Sequence, residues 1–299
     1  MDAFFPGFAL SRIETTSGAI RLRRGGGGPP LLLLHGHPRT HTTWWKVAPI
    51  LAEAYTVVCA DLPGFGGSYQ PVSIAQSSGR AKAAALTECM AILGFERFAV
   101  AGHDRGSYRA FRLAMDFPDR VTALAVMDGV PIYEALERAD WRFAKAWFHW
   151  FFFAQSEKAE AAVNGNPDIW YPCDPQVMGK ENAADFLAAT RDPAVVRGML
   201  ADYRAGLEVD YAHDRADREA GRRLACPVAV FWSLRDDMEA LYGDPVGPWL
   251  AWASEGVVGE AIDSGHHMAE EAPDAVAAAL LRNLGGVLAS TSVKSAPRP

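Results

Sequence analysis

Between the apolar stretch FAVAG, residues 98–102, and a helical run ending near residue 116 lies the short segment Gly102-His103-Asp104-Arg105-Gly106. A chain that passes from strand to helix in so few residues is strained at the bend, and its neighbours must be nearly free of side chain, as the two glycines are. A strand, a sharp turn and a returning helix form half of a parallel crossover, so the segment commits its surroundings to an α/β arrangement. The flanking sequence repeats the unit. PLLLLHGHP (30–38) is a continuous apolar strand running into a glycine-containing loop, as expected of a central strand covered on both faces. After it come a helix over about 44–53, strand TVVCA (56–60), loop DLPGFGGS (61–68) and a helix over about 78–92. TALAVMD (122–128) is the strand beyond the turn.

Residues 8–23 predict two short strands ahead of this pattern, and RRGGGGPP (23–30) a plain turn, because no helix start follows it. From about 132 to 222 the rhythm becomes helical and rich in aromatics, as in WRFAKAWFHWFFFAQ (141–155), which predicts an inserted helical cap. Alternation resumes with CPVAVFW (226–232), a helix around 246–254, strand VVGEAI (257–262) and a helix over about 274–287. The expected organisation is a mostly parallel, doubly wound sheet built from 1–131 and 223–289, a cap at 132–222, and a disordered tail at 290–299.

The net charge of −7 and a sequence pI near 5.6 leave no broad basic surface, so nucleic acid is excluded as a partner. Cys59, Cys89, Cys173 and Cys226 have no C-x-x-C spacing and are expected as buried thiols, neither disulfides nor metal ligands. MDAFFPGFAL has no basic segment before its apolar residues, and no apolar run approaches the ~18 residues of a membrane span, so a cytoplasmic protein without membrane contact is expected.

The Gly102–Gly106 turn has the G-x-S-x-G form of a nucleophile elbow, with Asp104 where serine would stand. Exposed backbone N–H groups at a helix start keep such a carboxylate ionised, so it attacks without a base. Attack on an ester would give only a labile anhydride. Attack on sp3 carbon bearing a leaving group gives a stable alkyl ester, so displacement of a halide or opening of an epoxide fits the residue type. Hydrolysing that ester requires a base and an oxyanion site. The backbone N–H groups of Arg105 and His37 are placed for the latter. SGHHM (264–268), after the last strand, offers His266 as base, with His267 as the alternative. A carboxylate must orient that histidine. Asp128 at the end of its strand and Asp236 after CPVAVFW both qualify, with Asp237 third.

The motifs HGHP, ADLPGFGGS, GHDRG, LAVMDGVP, FHWFF, DYRAG and SGHH, in that order across residues 30–275, resemble the fluoroacetate (haloacetate) dehalogenases of the α/β-hydrolase fold. HGxP with GHDxG is shared with epoxide hydrolases and haloalkane dehalogenases; the arginine after Asp104 and the cap motifs narrow the resemblance. It implies a cofactor-free, metal-free hydrolytic dehalogenase that converts a short 2-haloacid, haloacetate or fluoroacetate, to glycolate and halide. It further implies Asp128 as the acid partner, His149, Trp150 and Tyr203 as halide ligands, a small anionic organohalide as substrate, and a homodimer. Epoxide hydrolysis by the same Asp-His-acid set is the alternative.

The family clamps the substrate carboxylate with one arginine after the nucleophile and a second three residues on. Arg105 fills the first position. The second is Tyr108, and the arginine stands one residue later at Arg109. At ~100° per helical residue, Arg109 falls about 40° from Arg105 around the axis but a full turn on, and Tyr108 about 60° to the other side. Arg109 and Tyr108 are therefore both candidate substrate contacts, and Arg39 beside HGHP is a further candidate anion partner.

Overall fold

The computed structural model describes the backbone of residues 4–292. Strands β1 (Phe8–Thr15), β2 (Gly18–Gly26), β3 (Pro30–Leu34), β4 (Thr56–Ala60), β5 (Phe98–His103), β6 (Val121–Met127), β7 (Val228–Ser233) and β8 (Val257–Ile262) form one sheet. Their order is β1-β2-β4-β3-β5-β6-β7-β8. The pairs β1–β2 and β2–β4 are antiparallel, and from β4 through β8 every pairing is parallel.

The unbroken apolar run of β3 has a direct cause. Leu31 and Leu33 enter the core on one face with Trp44, Leu51 and Leu280, while Leu32 and Leu34 enter the other with Leu86, Met90 and Phe111. Because successive side chains alternate across a strand, covering both faces demands apolar residues at every position. The parallel strands share a direction, so the segments that follow them gather along one edge, where open α/β sheets bind ligands.

Between β6 and β7 the described elements are helices, from Ile132–Glu137 to Tyr211–Glu219. Cys59, Cys89 and Cys226 are buried, Cys173 half-buried, and all four are free. No helix among the described residues is long and apolar enough to cross a membrane.

Several element boundaries differ from expectation. The helix placed at 44–53 is a 3-10 turn, His41–Trp44, followed by a short helix, Val47–Leu51. Pro49 has no N–H and is tolerated only in a first turn, which keeps the helix from starting earlier. β2 runs on into the glycines of RRGGGGPP, because Gly26 pairs with Thr56 on β4. The helix near 246–254 is only Gly247–Leu250, since Ala253 leaves it to bridge Leu224. The last helix, Pro273–Ser292, extends into the segment expected as a disordered tail; the remainder of that expectation, residues 293–299, lies outside the described residues.

Candidate active site

Asp104 follows β5 and precedes the helix Arg105–Asp116, with φ 49° and ψ −118°, a conformation that an L-residue adopts only under constraint. The glycines of the turn relieve its surroundings: a Cβ on Gly102 would collide with the carbonyl of Gly106, and one on Gly106 with the carbonyl of Leu34. Ser107 locks the turn, its hydroxyl lying 2.8 Å from the carbonyl oxygen of Gly102 while accepting the N–H of Met127 at 3.1 Å.

The two carboxylate oxygens of Asp104 have separate environments. Oδ1 accepts the backbone N–H of His37 at 2.6 Å, the first of the two expected oxyanion donors. The other donor, the N–H of Arg105, opens a helix and so has no carbonyl one turn behind it. Oδ2 lies 3.9 Å from Nε2 of His266. Burial pushes the pKa of Asp104 upward, but His266, His103, the His37 N–H and Arg105 outweigh it and hold the carboxyl below its ordinary value. The group is thus held as an anion, with Oδ1 on the His37 N–H and Oδ2 toward His266.

His266 follows β8, with its ring 35% exposed and facing the cavity. Its Nδ1 is 3.3 Å from Oδ2 of Asp128 and 2.9 Å from Oδ2 of Asp236, though neither contact has the direction of a hydrogen bond. The structure therefore brings both candidate acids to the same nitrogen. Burial lowers the pKa of His266, but the adjacent carboxylates of Asp128 and Asp236, then the charge of Asp104, carry it well above the usual imidazole value. The acids are held differently. Asp128, buried, accepts the N–H and hydroxyl of Ser233 at 2.8 and 2.6 Å, whereas the Asp236 side chain is 30% exposed. His103 holds the loop of His266 from below, its Nε2 2.7 Å from the carbonyl of His266. His267 does not reach the cavity, and burial drives its pKa well below the ordinary value.

A cavity of about 200 Å³ opens above Asp104, lined by residues from the loops after the strands and from the helices between β6 and β7. His149, Trp150 and Tyr108, three of the expected substrate contacts, line it together with Trp147, Asp236 and Asp237. Burial lowers His149 to about 4, so it presents a neutral imidazole. Tyr203 stands a layer back, its ring centroid 5.1 Å from that of His37 and 5.8 Å from that of His149. Asp237 accepts the indole N–H of Trp147 at 2.8 Å, and burial with the charge of Asp236 raises it to about 6.

Neither Arg105 nor Arg109 is among the residues lining the cavity. Arg105 is 1% exposed and directs Nε to Oδ2 of Asp202 at 2.5 Å and Nη2 to the Asp202 carbonyl at 2.9 Å. Arg109 turns to Asp210 at 2.8 Å and Asp202 at 3.5 Å, away from the cavity, because a full helical turn carries it toward these buried acids. Arg39 is held by Glu270 at 3.0 Å. Asp202, Ser233 and His103 were missed from sequence: each acts on a residue distant along the chain, and no local spacing marks them.

His103, Asp128 and His266 offer ligand atoms within 4.8 Å of one another, a set that a metal ion could share. His103 is instead engaged with the His266 carbonyl and Asp128 with Ser233, so these residues fit an acid–base relay better than a metal centre.

Residues 29–166 match a family model described as alpha/beta hydrolase fold. A fluoroacetate dehalogenase from Burkholderia sp is 38% identical over 250 residues, covering 80% of this chain and 82% of that protein. A soluble epoxide hydrolase from Corynebacterium sp. (strain C12) is 29% identical, covering 82% and 86%. Among solved structures, a Pseudomonas aeruginosa protein carrying an epoxide hydrolase name, determined in one mutant form with bound MFA, superposes with a TM-score of 0.88 at 41% identity, covering 96% and 99%. Fold and matches define a hydrolase of the α/β-hydrolase class. Within that class the chain belongs to the fluoroacetate dehalogenase family.

Proposed function

We propose that the protein is a hydrolytic dehalogenase acting on a short organohalide through an aspartyl ester. The observation that carries this reading is the division of labour at Asp104, with Oδ1 in the oxyanion site and Oδ2 toward the base and the cavity. Oδ2 attacks the carbon, the carbon–halogen bond breaks, and the halide departs with the electron pair toward the donors of His149 and Trp150. Tyr203 backs that cradle. Nε2 of His266 then takes a proton from water, which attacks Cγ of Asp104. The N–H groups of His37 and Arg105 hold the tetrahedral oxyanion on Oδ1, a site worth on the order of 3–4 kcal/mol per donor. Collapse expels the alkoxide, which recovers the proton from His266 and leaves as the alcohol. Asp128, pinned by Ser233, orients the base, and Asp236 shares its charge.

Epoxide hydrolysis is supported by Tyr108, a phenol on the cavity wall able to donate to an epoxide oxygen, and by the epoxide hydrolase relatives. The two readings part in one assay series. Halide release from halo-C2 and halo-C3 substrates, followed by ion-selective electrode beside diol formation from styrene oxide, is expected to give halide; rapid diol without halide sinks the dehalogenase. A His266→Asn variant is expected to accumulate a covalent adduct on Asp104, detected by mass spectrometry of the peptide.

A further inference from the structure

The helical segment that carries His149 and Trp150 is broken just before them. The helix Trp141–Ala146 stops, the helix Phe148–Phe153 starts, and Trp147 between them has φ −110° and ψ 36°, outside the helical range. Each piece is six residues long, too short for its own hydrogen bonds to hold it in place. The joint is tied from outside instead. Asp237, beyond the end of β7, accepts the indole N–H of Trp147 at 2.9 Å on Oδ1 and 2.8 Å on Oδ2. Asp237 is also the N-cap of the helix Met238–Tyr242, where an aspartate ordinarily accepts a backbone N–H of its own first turn, yet its side chain makes no such bond. Its acceptors are given over to Trp147, and both residues line the cavity. Tyr242, from the same helix as Met238, sets its ring edge-on to that indole, 6.2 Å between centroids.

Trp147 passes this anchorage on. Its indole stacks on Trp150, with centroids 5.4 Å apart and planes at 29°, while Phe143 and Tyr108 meet Trp150 edge-on, each at 5.6 Å. Trp150 is buried, lines the cavity, and its own indole N–H meets no acceptor among the described residues. A donor for a departing halide works only where the charge appears, and a displacement of about 1 Å costs on the order of 100-fold in rate. We propose that Asp237 is a positioning residue for halide departure: by holding Trp147 it fixes the joint and the stack that aim Trp150, and with it His149, at the leaving group. The inference rests on the dehalogenase reading and adds to it a residue whose effect is exerted through another side chain.

The test uses the full chain at pH 8, above the value of about 6 to which burial and Asp236 raise Asp237. Single-turnover halide release from bromoacetate and chloroacetate is compared for Asp237→Ala, Trp147→Phe and the double variant. Asp237→Ala is expected to slow the carbon–halogen step by about 10- to 100-fold. The loss should be larger for chloride, the poorer leaving group, because a donor engaged only in the transition state matters most where most charge must be held. Trp147→Phe keeps the stack without the N–H and should reproduce the effect; the double variant should be no slower than either single one, since both residues act through one bond. Asp237→Asn, whose amide oxygen still accepts the N–H, should recover to within about threefold of the unaltered protein. If Asp237→Ala does not fold, the halide-dependent loss must still appear in Trp147→Phe. Additive losses in the double variant, equal losses for the two halides, or a rise in KM alone overturn the inference and leave the dehalogenase standing. Absence of halide from both compounds with the unaltered protein, and of any adduct on Asp104 in His266→Asn, removes both.

Discussion

At His266 two carboxylates compete for one nitrogen, and burial separates their contributions. Asp128 acts from a dry site where both oxygens are fixed by Ser233, while Asp236 is partly solvated and correspondingly screened. Asp128→Asn is accordingly expected to slow hydrolysis of the aspartyl ester by about 10²–10⁴-fold. Asp236→Asn should stay within about tenfold of the unaltered enzyme, the scale of losing one partly screened partner. Single-turnover quench kinetics on the two variants check this, and the reverse ranking would move the acid to Asp236. The charge of Asp104 adds a pH signature. It is one of the anions that hold up the pKa of His266, and esterification removes it just when a neutral base is needed. The depressed pKa of Asp104 lets alkylation continue at acid pH, whereas ester hydrolysis fails as pH falls through the pKa of His266 in the ester. Rapid quench in acid should trap the ester, and a parallel decline of both half-reactions would contradict the scheme.

At the scale of elements, one residue ties the helices between β6 and β7 to those packed on the sheet. Asp202, on the helix Pro193–Ala205, meets Lys82 on the helix Gly79–Ile92 and Arg105 and Arg109 on the helix Arg105–Asp116, all within the interior. Burial penalises its charge, but Arg105, Arg109 and Lys82 outweigh that and hold its pKa far below the ordinary carboxylate value. Asp202→Ala leaves three buried cations short of a partner and is expected to cost about 3–5 kcal/mol of stability, read by urea denaturation. The sign of the pH effect follows. A depressed folded-state pKa contributes stability that is complete above the unfolded value of about 4 and is lost as pH falls below it. The variant should therefore show a shallower acid limb, and an unchanged slope between about pH 5 and 2 would argue that Asp202 is not the titrating tie.

Across the whole molecule the cavity gathers distant segments: Trp147, His149 and Trp150 come from the helical segment between β6 and β7, while Asp104, Asp128 and His266 come from loops after three different strands. The strands, the turn at Asp104 and the position of His266 after the last strand were legible in the sequence because each is a local pattern. Period-two burial on both faces writes β3 as PLLLL, and steric crowding at the turn writes Gly102 and Gly106. Those patterns determined the sheet and the strand-to-helix turn that carries Asp104. Tertiary structure decided the rest: that Arg105 spends its guanidinium on Asp202, 97 residues away, that Arg109 turns to Asp210, and that two acids share His266. The physical reason is that a charge acts through space and dielectric, so its partner and its exposure are set by packing, which spacing along the chain does not encode.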